Sequence, residues 1–251
     1  MAPNSAAAYT ARSILQWSEG QYDDALNSCE RAIQANRNYE FGHTHYGYLL
    51  TTLGHLEKGR QQLLKAQELE RQKAVVQQLL GHYYYMQRDY TNALELYRNA
   101  LRFKSNRAQA HYFIGRVYQA WGQYLEATDE FENAENARGA DPAQTKRSFD
   151  RLRDAFLKGH KTGYWLEQAN QTQSKPVSEY YWKAVVQVQL GDTNGAFFWL
   201  NKSLLTHEMA DWGRETDGLL FDEYWDSLRD DPSFIEFAKR AGFRGTRARL
   251  D

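Results

Sequence analysis

The stretch Gly122-Gln-Tyr124-Leu-Glu-Ala127 decides the fold, because three variants of it recur along the chain at a fixed interval. The variants are Gly20-Gln-Tyr22-Asp-Asp-Ala25, Gly54-His-Leu56-Glu-Lys-Gly59 and Arg88-Asp-Tyr90-Thr-Asn-Ala93. Their final residues stand at positions 25, 59, 93 and 127, so each copy follows the previous one after 34 residues. A period of this length indicates stacked structural units, none of which can bury its apolar face alone.

Small residues recur with the same period and indicate where two helices of each unit come into close contact. Glycines stand twelve positions before the last three of these final residues, and alanines stand seven positions after all four. The positions are Gly47, Gly81 and Gly115, and Ala32, Ala66, Ala100 and Ala134. With apolar residues at helical spacing, this pattern predicts a pair of antiparallel helices in each unit. Four larger residues are expected to fill the gap to the next unit: Cys29, Leu63, Tyr97 and Phe131.

The glycines of the repeated motif are predicted to form the turn between the two helices. Gly20, Gly54 and Gly122 can adopt the left-handed backbone conformation that ends the first helix, because glycine has no Cβ. Arg88 takes the place of this glycine in the third copy, so we expect that turn to be somewhat strained or differently closed.

These residues resemble the tetratricopeptide-repeat (TPR) family in period and identity, as four units over residues 7–140. The resemblance implies an all-α, right-handed superhelical solenoid of antiparallel helix pairs with a concave face that binds other proteins. Two features depart from the family pattern, namely the early aromatic residue of the first helix and the proline that closes the second. At those positions stand Tyr9, His43, Gln77 and His111, and Arg37, Arg71, Ser105 and Gly139.

The rest of the chain is predicted to continue the solenoid less regularly. Residues 141–176 are expected to form a divergent helical pair, broken between Gly159 and Gly163. Residues 177–210 are expected to form a fifth TPR-like unit, since Ala196 lies close to two periods after the fourth motif.

A capping segment and tail, residues 211–251, are predicted to end this one continuous solenoid. Asp231 followed by Pro232 is a favourable helix start, and Gly242 is a favourable helix stop. A C-terminal capping helix of this kind is expected to shield the apolar end of the stack.

The C-terminal part also resembles TPR regions of bacterial winged-helix transcriptional regulators, adenylate cyclases and serine/threonine kinases. The matching parts are Leu190-Gly191-Asp192, Ala196, Trp199-Leu200, and Asp222 with Trp225-Asp-Ser-Leu-Arg229-Asp-Asp231-Pro-Ser-Phe234. This resemblance implies a module of a bacterial signalling or transcription regulator, whose effector domain lies outside this chain.

The charge balance argues against direct nucleic-acid binding, because 31 basic and 32 acidic side chains give a formal net charge of −1. No apolar run is long enough to span a bilayer, and residues 1–8 lack the pattern of a signal peptide. We therefore expect a cytoplasmic protein. Its single cysteine, Cys29, excludes an internal disulfide.

The sequence contains no motif for an enzyme, a cofactor or a metal site. Phosphate-binding, nucleophile-elbow and zinc-protease motifs are absent. His43 and His45 are two positions apart, which puts them on different sides of a helix. Cys29 stands at a core position of its unit, where a buried structural thiol is expected. We predict no catalytic residue, no cofactor and no metal ligand.

The inward side of the first helices is the predicted binding groove for a protein or peptide ligand. The mixture of flat aromatic area with oriented hydrogen-bonding groups suits peptide recognition. The candidate residues are Tyr48, Thr51, Gln78, His82, Tyr85, Tyr112, Arg116 and Gln119. Two alternatives stay open: some of the tyrosines only pack between units, or the exposed solenoid ends stack into a homodimer. No clamp for a chaperone tail is expected, since the first unit has Thr10 and Ile14 there.

Overall fold

The computed structural model describes residues 4–70, 73–103, 107–173, 180–205 and 223–240, and every regular element in them is a helix. The first eight helices form four antiparallel pairs. They are α1 (Ala6–Ser18) with α2 (Tyr22–Ala35), α3 (Glu40–Thr52) with α4 (Leu56–Leu69), α5 (Ala74–Met86) with α6 (Tyr90–Ala100), and α7 (Arg107–Ala120) with α8 (Tyr124–Arg138). Each pair also contacts the next, so the predicted all-α solenoid is confirmed.

The periodic glycines lie where the two helices of a unit touch. A Cβ on Gly47 would lie 2.7 Å from Leu63, and one on Gly81 would lie 2.6 Å from Tyr97. Leu63 and Tyr97 were predicted to fill the gap to the next unit. That prediction was incomplete, because each side chain also packs against the glycine of its own unit. Tyr97 does both, since its ring also stacks on Phe113 of the following unit at 5.2 Å.

The four turns have the predicted left-handed backbone. Gly20, Gly54 and Gly122 have φ angles of 75°, 85° and 77°. Arg88 has φ of 62° at the equivalent position, in a region that non-glycine residues rarely occupy. The expected strain in the third turn is thus present.

A divergent helical pair follows the fourth unit. It is α9 (Pro142–Gln173), which reverses direction at His160, where φ is 50° and ψ is −143°. The two halves run antiparallel, because Ser148 Oγ donates to Gln171 Oε1 at 2.7 Å. Gly163 packs directly against the carbonyl of Ala155, which leaves no room for a Cβ. The break predicted between Gly159 and Gly163 is confirmed.

The C-terminal elements are α10 (Tyr180–Gln189), α11 (Thr193–Leu205), a 3-10 helix (Glu223–Leu228) and α12 (Pro232–Arg240). Helix α12 begins at Pro232 as predicted, and its predicted stop at Gly242 lies outside the described residues. The ring of Phe234 stacks on Trp225 at 5.7 Å, and both side chains are buried in one core with Leu200 of α11. Helix α12 therefore covers the last helix pair.

Candidate functional site

The concave face of the third and fourth units is occupied by the chain's own 3-10 helix, residues 223–228. The hydroxyl of Tyr85 donates to the carboxylate of Glu223 and accepts a hydrogen bond of 3.1 Å from Arg116 Nη2. The hydroxyl of Tyr224 donates to Gln119 Oε1. The three predicted groove residues Tyr85, Arg116 and Gln119 are thus brought together, and they hold an internal segment.

Arg116 is the centre of these contacts and is only 8% exposed. Its guanidinium lies 4.5 Å from the ring centre of Tyr224, and 5.8 Å from those of Tyr85 and Trp182. Its Nη2 is 3.8 Å from Glu223 Oε1. Aromatic faces and a carboxylate together offset the cost of burying the guanidinium charge.

A second arginine holds the other end of the same segment. Arg88 Nη2 donates to both carboxylate oxygens of Asp226, at 2.8 and 3.0 Å, and Arg88 Nη1 donates to Tyr90 at 3.1 Å. This ion pair, in which one guanidinium nitrogen donates to both carboxylate oxygens, joins the turn between α5 and α6 to residues 223–228. The sequence pattern predicted only that the C-terminal segment shields the end of the stack, so this docking is a finding of the structure.

The other predicted groove residues on α3 and α5 lie outside this cluster. Tyr48 is half-buried and contacts Trp17 edge-on at 6.3 Å. Thr51 is buried and donates to the carbonyl of Gly47 at 2.8 Å, and Gln78 is also buried. His82 hydrogen-bonds the hydroxyl of Tyr97 at 2.9 Å, which ties it to its own unit.

We call residues 223–228 the docked segment. An open cleft of about 660 Å³ lies beside it, between α7, α8, α9 and α10. Tyr112 and Gln119, two of the predicted residues, line it. The further lining is rich in amides and aromatic rings: Phe131, Gln144, Phe149, Trp165, Gln168, Gln171 and Trp182. The amide-bearing residues of α9 and the tryptophans were not predicted, because their helices depart from the repeat register.

Charged groups at the cleft are largely matched within the protein. Arg138 pairs with Glu135 and lies over the ring of Tyr112 at 5.7 Å. Asp141 caps α9 by accepting from the backbone N–H of Gln144 at 2.7 Å. The cleft therefore presents aromatic area and polar uncharged groups more than a strong field of one sign.

Ser13, Cys29 and His45 form a buried cluster in the first two units. These residue types also occur in nucleophilic catalytic sites, but the thiol is not activated here. Ser13 Oγ lies 3.0 Å from Cys29 Sγ and 3.1 Å from His45 Nε2. Burial raises the pKa of Cys29 to about 11 and lowers the pKa of His45 to about 4. Both groups are thus neutral near pH 7, and the thiol is 1% exposed, so the cluster is a hydrogen-bonded part of the core.

The described residues contain neither a metal-binding cluster nor a membrane-spanning helix. No group of three or more His, Cys, Asp or Glu side chains there is arranged to hold a metal ion. Within the same ranges, no helix combines the length and apolar character needed to cross a membrane.

Comparisons with known proteins match two of the helix units by sequence and most of the chain by fold. A tetratricopeptide-repeat family model matches residues 6–39 and 108–140. PilF of Pseudomonas aeruginosa is similar in structure, with a TM-score of 0.55 at 13% identity, over 84% of this chain and 97% of that one. PilW, a type IV pilus biogenesis factor, gives 0.56 at 13% identity, over 80% and 93%. A tetratricopeptide-repeat protein from Parabacteroides merdae gives 0.54 at 15% identity, over 94% and 98%.

No curated protein sequence matches the chain significantly. The family model and the structural likenesses nevertheless agree on the architecture, which is an all-α tetratricopeptide-repeat solenoid. Such repeats indicate a protein-interaction scaffold, and the fold is generally non-catalytic.

Proposed function

We propose that this chain is a scaffold or sensor module that binds a peptide segment of a protein partner in the cleft between α7 and α10. The observation that carries the proposal is the open cleft of about 660 Å³ between α7, α8, α9 and α10. It adjoins the part of the predicted groove that residues 223–228 fill, because Gln119 and Trp182 line the cleft and also contact Tyr224.

The lining of the cleft has the chemistry that peptide binding needs. An amide side chain carries both donors and an acceptor, so the exposed Gln144 can pair with a peptide main chain. Gln168 and Gln171 stabilise the wall of the cleft through hydrogen bonds with Tyr164 and Ser148. Tyr112 and Trp182 are half-buried and offer flat area at a low cost in side-chain entropy. Tyr112 and Gln119 therefore stay in the proposed site from the predicted set.

The wider role that we propose is in the cytoplasm, as part of a bacterial signalling or transcription regulator. Its support is the C-terminal sequence motif that includes Leu190-Gly191-Asp192 and Trp225. In the structure Leu190-Gly191-Asp192 joins α10 to α11, and Trp225 lies in the 3-10 helix of residues 223–228.

Site-specific photocrosslinking tests the binding proposal. A benzophenone amino acid is placed at Gln144, in the cleft, and in a second protein at Phe198, which is exposed on α11 outside it. We expect one discrete protein adduct from position 144 that is lost on Tyr112→Ala and kept on Tyr118→Ala, a control on the same helix. Adducts that are the same from both positions would argue against the cleft.

Self-assembly is a second candidate, favoured by apolar side chains on the first helix. Ile14 and Leu15 on α1 are 45% and 58% exposed. A homodimer through this face would appear in light scattering as a mass that rises with concentration and returns to that of a monomer on Ile14→Glu. A constant monomer mass at high concentration would reject it.

A further inference from the structure

The docked segment has two sides that contact different parts of the molecule. Trp225 and Leu228 belong to the C-terminal core, where Trp225 Nε1 donates to Tyr181 at 3.1 Å. Glu223 and Asp226 contact the inward face through Tyr85, Arg88 and Arg116. Tyr224 contacts both parts, since its hydroxyl donates to Gln119 and its ring packs on Trp165 and Trp182 in the C-terminal core. The second side makes the contacts that a bound peptide would make with this face.

The concave face is built to receive acidic groups at two places. Arg88 keeps a left-handed backbone that glycine has in the other three turns, and from there its guanidinium reaches Asp226 with two hydrogen bonds. A strained residue of this kind persists where its side chain has a use. Arg116 is buried among aromatic rings beside Glu223, and a buried guanidinium requires an acidic or aromatic partner.

We propose that the surface formed by Tyr85, Arg88, Arg116 and Gln119 is a receptor for acidic–aromatic peptides, and that residues 223–226 are its internal ligand. The partner segment has the order Glu, aromatic, any residue, Asp, as Glu223-Tyr-Trp-Asp226 has. This inference rests on the proposed peptide-binding function and names the chemistry of a partner. The internal ligand keeps the surface closed until such a segment takes its place.

Residues 223–226 belong to the same chain as the receptor surface, so they compete strongly with a free peptide for it. Their effective concentration is on the order of millimolar, so a free peptide at micromolar concentration does not displace them from the native chain. The full-length variant Glu223→Gln/Asp226→Asn weakens the internal ligand and leaves the receptor surface intact. Each lost charge-assisted hydrogen bond corresponds to roughly tenfold in affinity.

Fluorescence anisotropy then measures binding of a labelled peptide with the sequence of residues 221–230. We expect it to bind the double variant at least about tenfold more tightly than the native chain, and about tenfold more weakly again when Arg88→Gln is added. A matched peptide with Gln and Asn at the two acidic positions should bind at least about tenfold more weakly. Equal binding of the two peptides, or no gain in the double variant, would overturn the proposal.

A second measurement does not depend on the double variant being folded. Arg88→Gly restores the turn residue of the other units and removes the guanidinium. We expect amide hydrogen exchange in residues 223–228 to become about tenfold faster while that of α6 stays unchanged. Unchanged exchange in residues 223–228 would contradict an internal ligand held by Arg88. Crosslinking at Gln144 reports on the cleft alone, so failure there is distinguishable from failure here.

Discussion

Arg88 and Asp226 are 138 positions apart in the sequence, and their side chains form an ion pair in which Arg88 Nη2 lies 2.8 and 3.0 Å from the two carboxylate oxygens. The pair ties the third helix unit to the C-terminal segment. The arginine achieves this from a backbone conformation that costs of the order of 1–3 kcal/mol for a non-glycine residue. At Arg88, the unfavourable backbone conformation of the turn and the favourable ion pair with Asp226 therefore change the free energy of unfolding in opposite directions.

The first prediction concerns this balance. Arg88→Gly should change the free energy of unfolding by less than about 1 kcal/mol, because relief of strain offsets the lost ion pair. The converse change, Gly122→Arg, should destabilise by about 1–3 kcal/mol, since φ is 77° there and no atom lies within 4 Å of the new Cβ to compensate. Urea unfolding of both variants measures the difference. Equal destabilisation by the two substitutions would refute the balance.

The second prediction concerns close contact between the helices of one unit. Gly81→Ala should destabilise by about 1–3 kcal/mol, because its Cβ would lie 2.6 Å from the buried ring of Tyr97. That ring cannot move aside, since it also stacks on Phe113. Gly159→Ala is the control, with open space around its Cβ, and should be neutral within about 0.5 kcal/mol. A tolerated Gly81→Ala in urea unfolding would mean that the helices are not in such contact.

The four regular units are predictable from sequence because the same kind of helix–helix contact recurs in each of them. The positions of Gly81 and Tyr97 have counterparts at the same spacing in the other units, so the period marks both as helix-contact positions, although it does not show that they face each other. The strained turn at Arg88 follows from the same register. Local patterns of this kind are repeated four times, which makes them strong signals.

The docking of residues 223–228 is not predictable in this way. A contact between Arg88 and Asp226 is made once, across 138 positions, and no periodic pattern contains it. The available signal was chemical, namely Arg116 at an inward position, Arg88 in the third turn, and an acidic–aromatic segment near the end. The cleft was missed in part because Gln168 and Trp182 belong to helices outside the regular repeat.

The third prediction concerns stability against pH. Burial lowers the pKa of His45 to about 4 from its ordinary value of 6.5, so the unfolded chain binds the proton more readily. This contribution is present above pH 6.5 and is lost as the pH falls towards 4, by up to about 3 kcal/mol. Denaturant unfolding between these pH values should show a steeper loss for the native chain than for His45→Gln. Parallel pH profiles would show that His45 is not buried in neutral form.

The fourth prediction concerns the reactivity of the single thiol. A pKa of about 11 for Cys29, against 9.0 for an exposed thiol, reduces the thiolate fraction roughly 100-fold at pH 7.5. Burial slows access further, so reaction with a disulfide reagent should be at least about 100-fold slower in the native protein than in denaturant. Absorbance of the released thiol measures both rates. Rapid labelling of the native protein would place Cys29 at an accessible surface.

The most direct test of the central claim, that the chain's own C-terminal segment occupies the concave face, is a double-mutant cycle on Arg88 and Asp226. The free energy of unfolding is measured for the native chain, Arg88→Gln, Asp226→Asn and the double variant. A partly exposed ion pair of this kind predicts a coupling energy of about 0.5–1 kcal/mol. Additivity of the two substitutions within about 0.3 kcal/mol would mean that the side chains do not interact, and would contradict the docked segment.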